Sequence, residues 1–188
     1  MKLLIIDPNV SLSSPSMKGV VRALPGLRRA GFEIELWCWH CDEDIEVDRI
    51  VRLPRLGAVR VLYSHAFGVW ARLKSWWHFT VRKQPRPDVI FTVAWYEPRC
   101  DVALVQFSPW DWEQRQRELG VHSLRDFVER ASNRLGLRTA NRFLLRTTAR
   151  RILCVSDAVS GDLRNAHPAI EGKLHVLPNS YDPARLLT

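Results

Sequence analysis

Short apolar runs, each closed by Asp, Pro, Ser or Asn, recur along this chain and alternate with stretches that carry helical spacing. Lys2-Leu3-Leu4-Ile5-Ile6 stops at Asp7-Pro8, and Arg49-Ile50-Val51-Arg52-Leu53 stops at Pro54. Asp88-Val89-Ile90-Phe91-Thr92-Val93 and Asp101-Val102-Ala103-Leu104-Val105-Gln106-Phe107 have the same form. Runs this short and this continuously apolar suit strands covered on both faces, as in a parallel sheet. Glu33-Ile34-Glu35-Leu36-Trp37-Cys38 alternates and reads as another strand. Arg151-Ile152-Leu153-Cys154-Val155-Ser156 and Lys173-Leu174-His175-Val176-Leu177-Pro178-Asn179 bring the total to six or seven.

The intervening segments supply the helices. Residues 17–30 place Val20, Val21, Leu24 and Leu27 at helical spacing before a Gly31 stop, and Ser16 is either the cap of this helix or a ligand-binding hydroxyl. Pro25 inside this stretch predicts a kink or a late start. In residues 66–81, Phe67, Val69, Trp70, Leu73, Trp76, Trp77, Thr80 and Val81 cover half the circumference, which predicts a sheet-packing helix. Its outer face is expected to carry Arg72, Lys74, His78 and Arg82. Residues 123–149 are helical, with a break expected at Leu135-Gly136-Leu137 because an internal glycine costs about 1 kcal/mol. Strand, helix and strand with short joints must cross over right-handedly. The expected fold is α/β, a Rossmann-like doubly wound parallel sheet of six or seven strands flanked by helices.

A chain of 188 residues can bury one good core, so a single domain spanning 1–188 is expected. With 46% hydrophobic and 26% charged residues, disordered, collagen-like and coiled-coil classes drop out. No apolar run approaches the roughly eighteen residues of a membrane span, so the expectation is a cytoplasmic protein, soluble or peripheral to the inner face of a membrane. The net charge of +8 is concentrated between Arg125 and Arg151, where eight arginines face only Asp126 and Glu129. Such a region favours phosphates or acidic lipid headgroups, unless it is simply a solvated helix face. No nucleic-acid-binding motif accompanies the charge, and none is expected to bind.

The tail carries a specific pattern: the strand 151–156, a short amphipathic helix, then the strand 173–179 running into Pro178-Asn179-Ser180-Tyr181-Asp182. It resembles the close of the N-terminal domain in GT-B glycosyltransferases of the GT4 type, where a Val-x-x-Ser strand end and a helix precede a strand leading to Pro-Asn-Gly-Val-Asp. The Ala30-Gly31-Phe32-Glu33-Ile34 stretch is similar to the family's Arg-Gly-His-Glu-Val. The resemblance implies an acceptor-side domain of a glycosyltransferase. The chain ends at Thr188, about where the family's donor-binding second domain would begin. It also implies a nucleotide-sugar donor as co-substrate with no bound cofactor, a carbohydrate acceptor, and weak or absent activity for this domain alone.

Ligands in open parallel sheets bind at the carboxyl ends of the strands, which directs attention to four loops. In the first, Ser14-Pro15 falls on the family's Gly-Gly pair, so close approach of backbone amides to a diphosphate is not expected. Ser14, Ser16, Lys18 and Gly19 remain candidates for a phosphate or an acceptor sugar. Trp95, Tyr96 and Glu97 follow the fourth strand; Glu97 is the candidate catalytic base for an acceptor hydroxyl. After the fifth strand, Gln106, Ser108, Trp110, Asp111 and Trp112 combine aromatic faces with polar groups, the requirement for binding a pyranose. Gln106 or Ser108 stands where many family members carry a His near the transferred sugar. Ser156 and Asn179 complete the candidate set. For these loops the plainer alternative is packing and helix capping.

A competing motif is Trp37-Cys38-Trp39-His40-Cys41, similar to the redox centre of thiol-disulfide oxidoreductases. The acidic Asp42-Glu43-Asp44 that follows would raise a thiol pKa, and no helix start is expected there, so thiol chemistry is not expected. A zinc site at Cys38, His40 and Cys41 lacks a fourth ligand, and no metal is expected. A non-catalytic module that binds a partner protein or an anionic membrane through its arginines is the alternative function.

Overall fold

A computed structural model describes residues 1–54, 63–118 and 123–178. In chain order the strands are β1 (Lys2–Ile6), β2 (Asn9–Val10), β3 (Glu33–Cys38), β4 (His40–Cys41), β5 (Arg49–Arg52), β6 (Val89–Val93), β7 (Val102–Val105), β8 (Arg151–Cys154) and β9 (Leu174–Val176). The helices are α1 (Lys18–Arg29), α2 (Tyr63–Ser75), α3 (Pro109–Glu118), α4 (Leu124–Arg146) and α5 (Asp157–Ala166). Seven strands form one wholly parallel sheet in the order β5-β3-β1-β6-β7-β8-β9, as the apolar runs predict. The short pair β2-β4 sits apart from it. Because β1 has β3 on one side and β6 on the other, the winding direction reverses there, and a crevice opens at the carboxyl ends of β1 and β6.

The two faces explain why the strands read as unbroken apolar runs. Leu4 and Ile6 of β1 join Trp37, Phe67, Ala71, Phe143 and Ile152 in a core under α2 and α4. Their neighbours Leu3 and Ile5 join Val21, Leu24, Ile34 and Leu36 under α1. The opposite edge of the sheet is stitched by aspartates that stand just before a strand and serve the strand beside it. Asp88 accepts from the Lys2 N–H at 2.7 Å, Asp48 from Ile34 at 2.7 Å, and Asp101 from Ile90 at 2.9 Å. Each satisfies an amide that the parallel ladder leaves unpaired.

Several local expectations are corrected. Helix α1 starts at Lys18 and runs through Pro25 to Arg29, so there is no late start. Met17 occupies the cap position without a side-chain bond, so Ser16 is not the cap. Gly31 ends the helix as expected, at a φ of 85° that favours glycine. The segment 108–112 is not a loop: it opens α3, with Pro109 at the first position. Helix α4 is unbroken at Gly136.

The largest correction concerns α2. Its inward line is Phe67, Ala71 and Ser75, whereas Val69, Leu73, Trp76, Trp77 and Val81 are 42–56% exposed. The helix passes into a π-helical segment, Trp76–Val81, which shifts the phase of every later side chain. That shift brings Phe79 onto Trp37, stacked at 6.0 Å, while the two tryptophans stay outside with Val69 and Leu73. Arg72, expected on the outer face, is half-buried.

No helix among the described residues is long and apolar enough to cross a membrane. All four cysteines are buried free thiols. Burial, and then the neighbouring Cys41, push the Cys38 thiol up to about 12, and burial also raises Cys41. A protonated, enclosed thiol is a poor nucleophile.

Candidate functional site

A cavity of about 490 Å³ lies on the carboxyl side of the sheet between α2, the turn after β6 and α4. Small residues make room for it. A Cβ at Gly68 would lie 3.5 Å from the Tyr96 ring, and one at Gly136 would lie 3.8 Å from the His65 ring. The chain leaves β6 through Ala94 at a φ of 57°, a left-handed conformation that costs a non-glycine residue energy and turns Trp95 and Tyr96 toward α2. Tyr96 packs edge-on against Phe67 at 5.0 Å, and Trp95 against Phe143 of α4 at 5.5 Å. Phe107, 55% exposed, lies at the rim.

Two guanidiniums line this cavity and, among the described residues, no carboxylate does. Arg72 donates from Nη2 to the Trp95 carbonyl at 2.9 Å and from Nε to the Tyr96 carbonyl at 3.1 Å, which ties the turn to α2. Burial lowers the Arg72 pKa; the Glu97 charge opposes that shift and Arg142 adds to it. His65 lies with Nε2 3.3 Å from the Ser132 carbonyl, bridging α2 and α4, and burial lowers its pKa.

Of the residues read from the sequence, Trp95 and Tyr96 line the cavity. Glu97 does not: it is 2% exposed, and its Oε1 accepts from the Arg99 N–H at 2.9 Å. Its Oε2 has no hydrogen-bond partner among the described residues. Ser14, Ser16 and Gln106 form a second cluster, in which Gln106 Nε2 donates to the Ser16 carbonyl at 2.7 Å and the Ser14 and Ser16 hydroxyls lie 3.0 Å apart. Lys18 and Gly19 are exposed beside it at the start of α1. Ser108 Oγ accepts from the Asp111 N–H at 3.2 Å, and Ser156 Oγ from the Val159 N–H at 3.3 Å, so both hydroxyls cap helices. Asp111 pairs with Arg115 at 3.1 Å, and Trp110 lies edge-on to His167 at 5.8 Å. Trp112 lies in α3, and Asn179 lies outside the described residues.

Sequence reasoning missed His65, Arg72, Phe107, Ser132 and Thr139, and placed Arg142 only in the basic helix region that favours phosphates or acidic lipid headgroups. A signal existed: Ser132, Gly136 and Thr139 recur at helical spacing within α4, a small and polar stripe where an apolar one would pack a core.

A reversed parallel sheet with a mostly apolar cavity on its carboxyl edge defines a Rossmann-like ligand-binding domain. The chain belongs to glycosyltransferase family 4, whose sequence model matches residues 18–185. Among solved structures it is similar to WaaG, a glycosyltransferase involved in lipopolysaccharide biosynthesis, with 10% identity and a TM-score of 0.68; the match covers 97% of this chain and 46% of that one. It is also similar to apo UGT2 of Phytolacca americana, with 9% identity and a TM-score of 0.55, covering 100% of this chain and 55% of that one. The chain thus spans about half the length of these enzymes, and the likeness is one of fold. No curated protein sequence matches it.

Proposed function

We propose that these residues form the acceptor-binding half of a glycosyltransferase that moves a sugar from a nucleotide-sugar donor to a glycan or lipid-linked acceptor in the cytoplasm. The observation that carries this reading is the cavity itself: Trp95, Tyr96 and Phe107 offer aromatic surface beside Ser132, Asn133, Thr139 and two arginines. A sugar presents an apolar C–H face and a fringe of hydroxyls, and this lining matches both. The Ser14, Ser16, Lys18 and Gln106 cluster, near the ends of β1 and β7, would face a donor held mainly by a second domain. Without a Gly-Gly pair, the first loop contributes hydroxyls and one ammonium rather than a cradle of amides. We assign Glu97 the role of buried counter-charge to Arg72; a base would need to reach an acceptor hydroxyl. A glycan array probed with the chain should show saccharide binding that F107A weakens. Nucleoside diphosphates should bind weakly or not at all in the absence of a second domain. Tight diphosphate binding with no glycan retained would overturn the reading.

One observation favours peripheral contact with an anionic membrane, which would also serve a non-catalytic module. Val69, Leu73, Trp76, Trp77 and Val81 are exposed along α2 and its π-helical end, with Arg82 placed 5.8 Å over the Trp77 ring. Tryptophan with arginine suits a headgroup interface. Sedimentation with anionic but not neutral vesicles, lost in a W76S/W77S variant, is the expected result; equal recovery with both vesicle types would contradict it.

A further inference from the structure

We propose that the cavity between α2 and α4 takes an acceptor sugar bearing a phosphate, with the phosphate between Arg72 and Arg142 and the sugar against Tyr96 and Phe107. The inference rests on the acceptor-binding reading above and narrows it to a substrate class. Arg72 and Arg142 line one cavity, and among the described residues its lining holds no Asp or Glu. Two of the three Arg72 nitrogens are committed to the carbonyls of Trp95 and Tyr96, which fixes the guanidinium plane. The third, Nη1, has no protein partner among the described residues. Arg142 has no ion pair there either, although α4 and α3 pair other arginines with Glu113.

Two cations sharing a half-buried space repel one another, and Arg142 accordingly helps lower the Arg72 pKa. The nearest answering charge, Glu97, sits outside the lining with one oxygen engaged by Arg99. An arrangement of this kind is stabilised by a bound anion. A phosphomonoester carries about −1.5 to −2 charges at neutral pH and presents several acceptor oxygens, which suits two guanidiniums better than a single carboxylate does. The volume of about 490 Å³ exceeds what a phosphate fills and falls in the range of roughly 300–1,000 Å³ typical of small-molecule sites. The remaining space is bordered by Tyr96, Phe107 and Thr139, where a ring could lie.

The test is a titration of the 188-residue chain with glucose, glucose 6-phosphate and inorganic phosphate, followed by calorimetry and by amide chemical shifts. Glucose 6-phosphate should bind about tenfold or more tightly than glucose, as expected for one charge-assisted pair, and inorganic phosphate should compete with it. R142Q should remove that preference, and R142K should restore part of it. Dispersed amide spectra of both variants would confirm that they fold. Equal binding of glucose and glucose 6-phosphate, with shifts at Tyr96 and Thr139 in both cases, would overturn the phosphate assignment and leave the acceptor reading standing. A preference that survives in R142Q would overturn it as well. Absence of any shift at Tyr96, Phe107 and Thr139 with all three ligands would remove the acceptor reading and the inference together.

Discussion

Arg72 reaches from the last turn of α2 to the Trp95 carbonyl at 2.9 Å, and this bond with its companion to Tyr96 sets the wall of the cavity. The turn after β6 has a left-handed residue at Ala94, so its shape depends on such outside ties. Replacement of Arg72 by Met would strip a charged donor from two carbonyls and leave Glu97 buried beside a neutral chain. A loss of about 2–4 kcal/mol in urea unfolding is expected. In an R72M/E97Q double variant the loss should be smaller than the sum of the single losses; strict additivity would show that the two charges do not interact.

Asp7 gives the fold a pH dependence. Burial raises its pKa to about 7, against a weaker lowering by the Asn9 N–H, which its Oδ1 accepts at 2.8 Å. A carboxyl whose folded pKa lies above its unfolded value near 4 binds more protons in the folded state between those limits. Stability from this group is therefore full below pH 4 and lost progressively up to pH 7. D7N should flatten that slope and be the more stable protein at pH 8, by roughly 1–4 kcal/mol. Chemical unfolding at pH 5 and pH 8 checks this, and parallel slopes for both proteins would contradict it.

Asp101 links two strands and a loop. Its Oδ2 accepts from the Ile90 N–H at 2.9 Å and from Arg86 at 2.8 Å. D101A should cost about 1–3 kcal/mol by leaving the strand amide unpaired, with most of the loss persisting in high salt because the amide bond is not a surface ion pair. R86A, which removes only a half-exposed partner, should cost less than 1 kcal/mol.

The hydroxyls of Ser123 and Ser156 cap α4 and α5, accepting from Asp126 and Val159. S156A should lower stability by about 1 kcal/mol and leave saccharide binding unchanged. A selective loss of binding would instead return Ser156 to the ligand site.

These features divide by how far they were legible in the sequence. The central strands could be read because a parallel strand buried on both faces must be apolar at every position, as Leu3, Leu4, Ile5 and Ile6 show, and the edge strands β5 and β9 because Pro54 and Pro178 bound their short runs. The outward face of α2 could not. Its apolar residues outnumber those that one face can bury: the inward line is only Phe67, Ala71 and Ser75, and Val69, Leu73, Trp76 and Trp77 stand across from it. Trp95 and Tyr96 were found because ligand sites follow strand ends. Arg72 was missed, and Arg142 was read only as part of a basic region, because they come from helices that meet only through tertiary packing rather than from strand ends. Ser108 and Ser156 illustrate the converse ambiguity, since a hydroxyl at a strand end is as readily a helix cap as a ligand.

The most direct test of the account is a crystal structure of the chain soaked with the best saccharide from the array. The account predicts ordered sugar density against Tyr96 and Phe107, within hydrogen-bond reach of Thr139 or Arg142. A saccharide bound elsewhere, on the Ser16–Gln106 cluster or the outer face of α4, would contradict it, as would an empty cavity at saturating ligand.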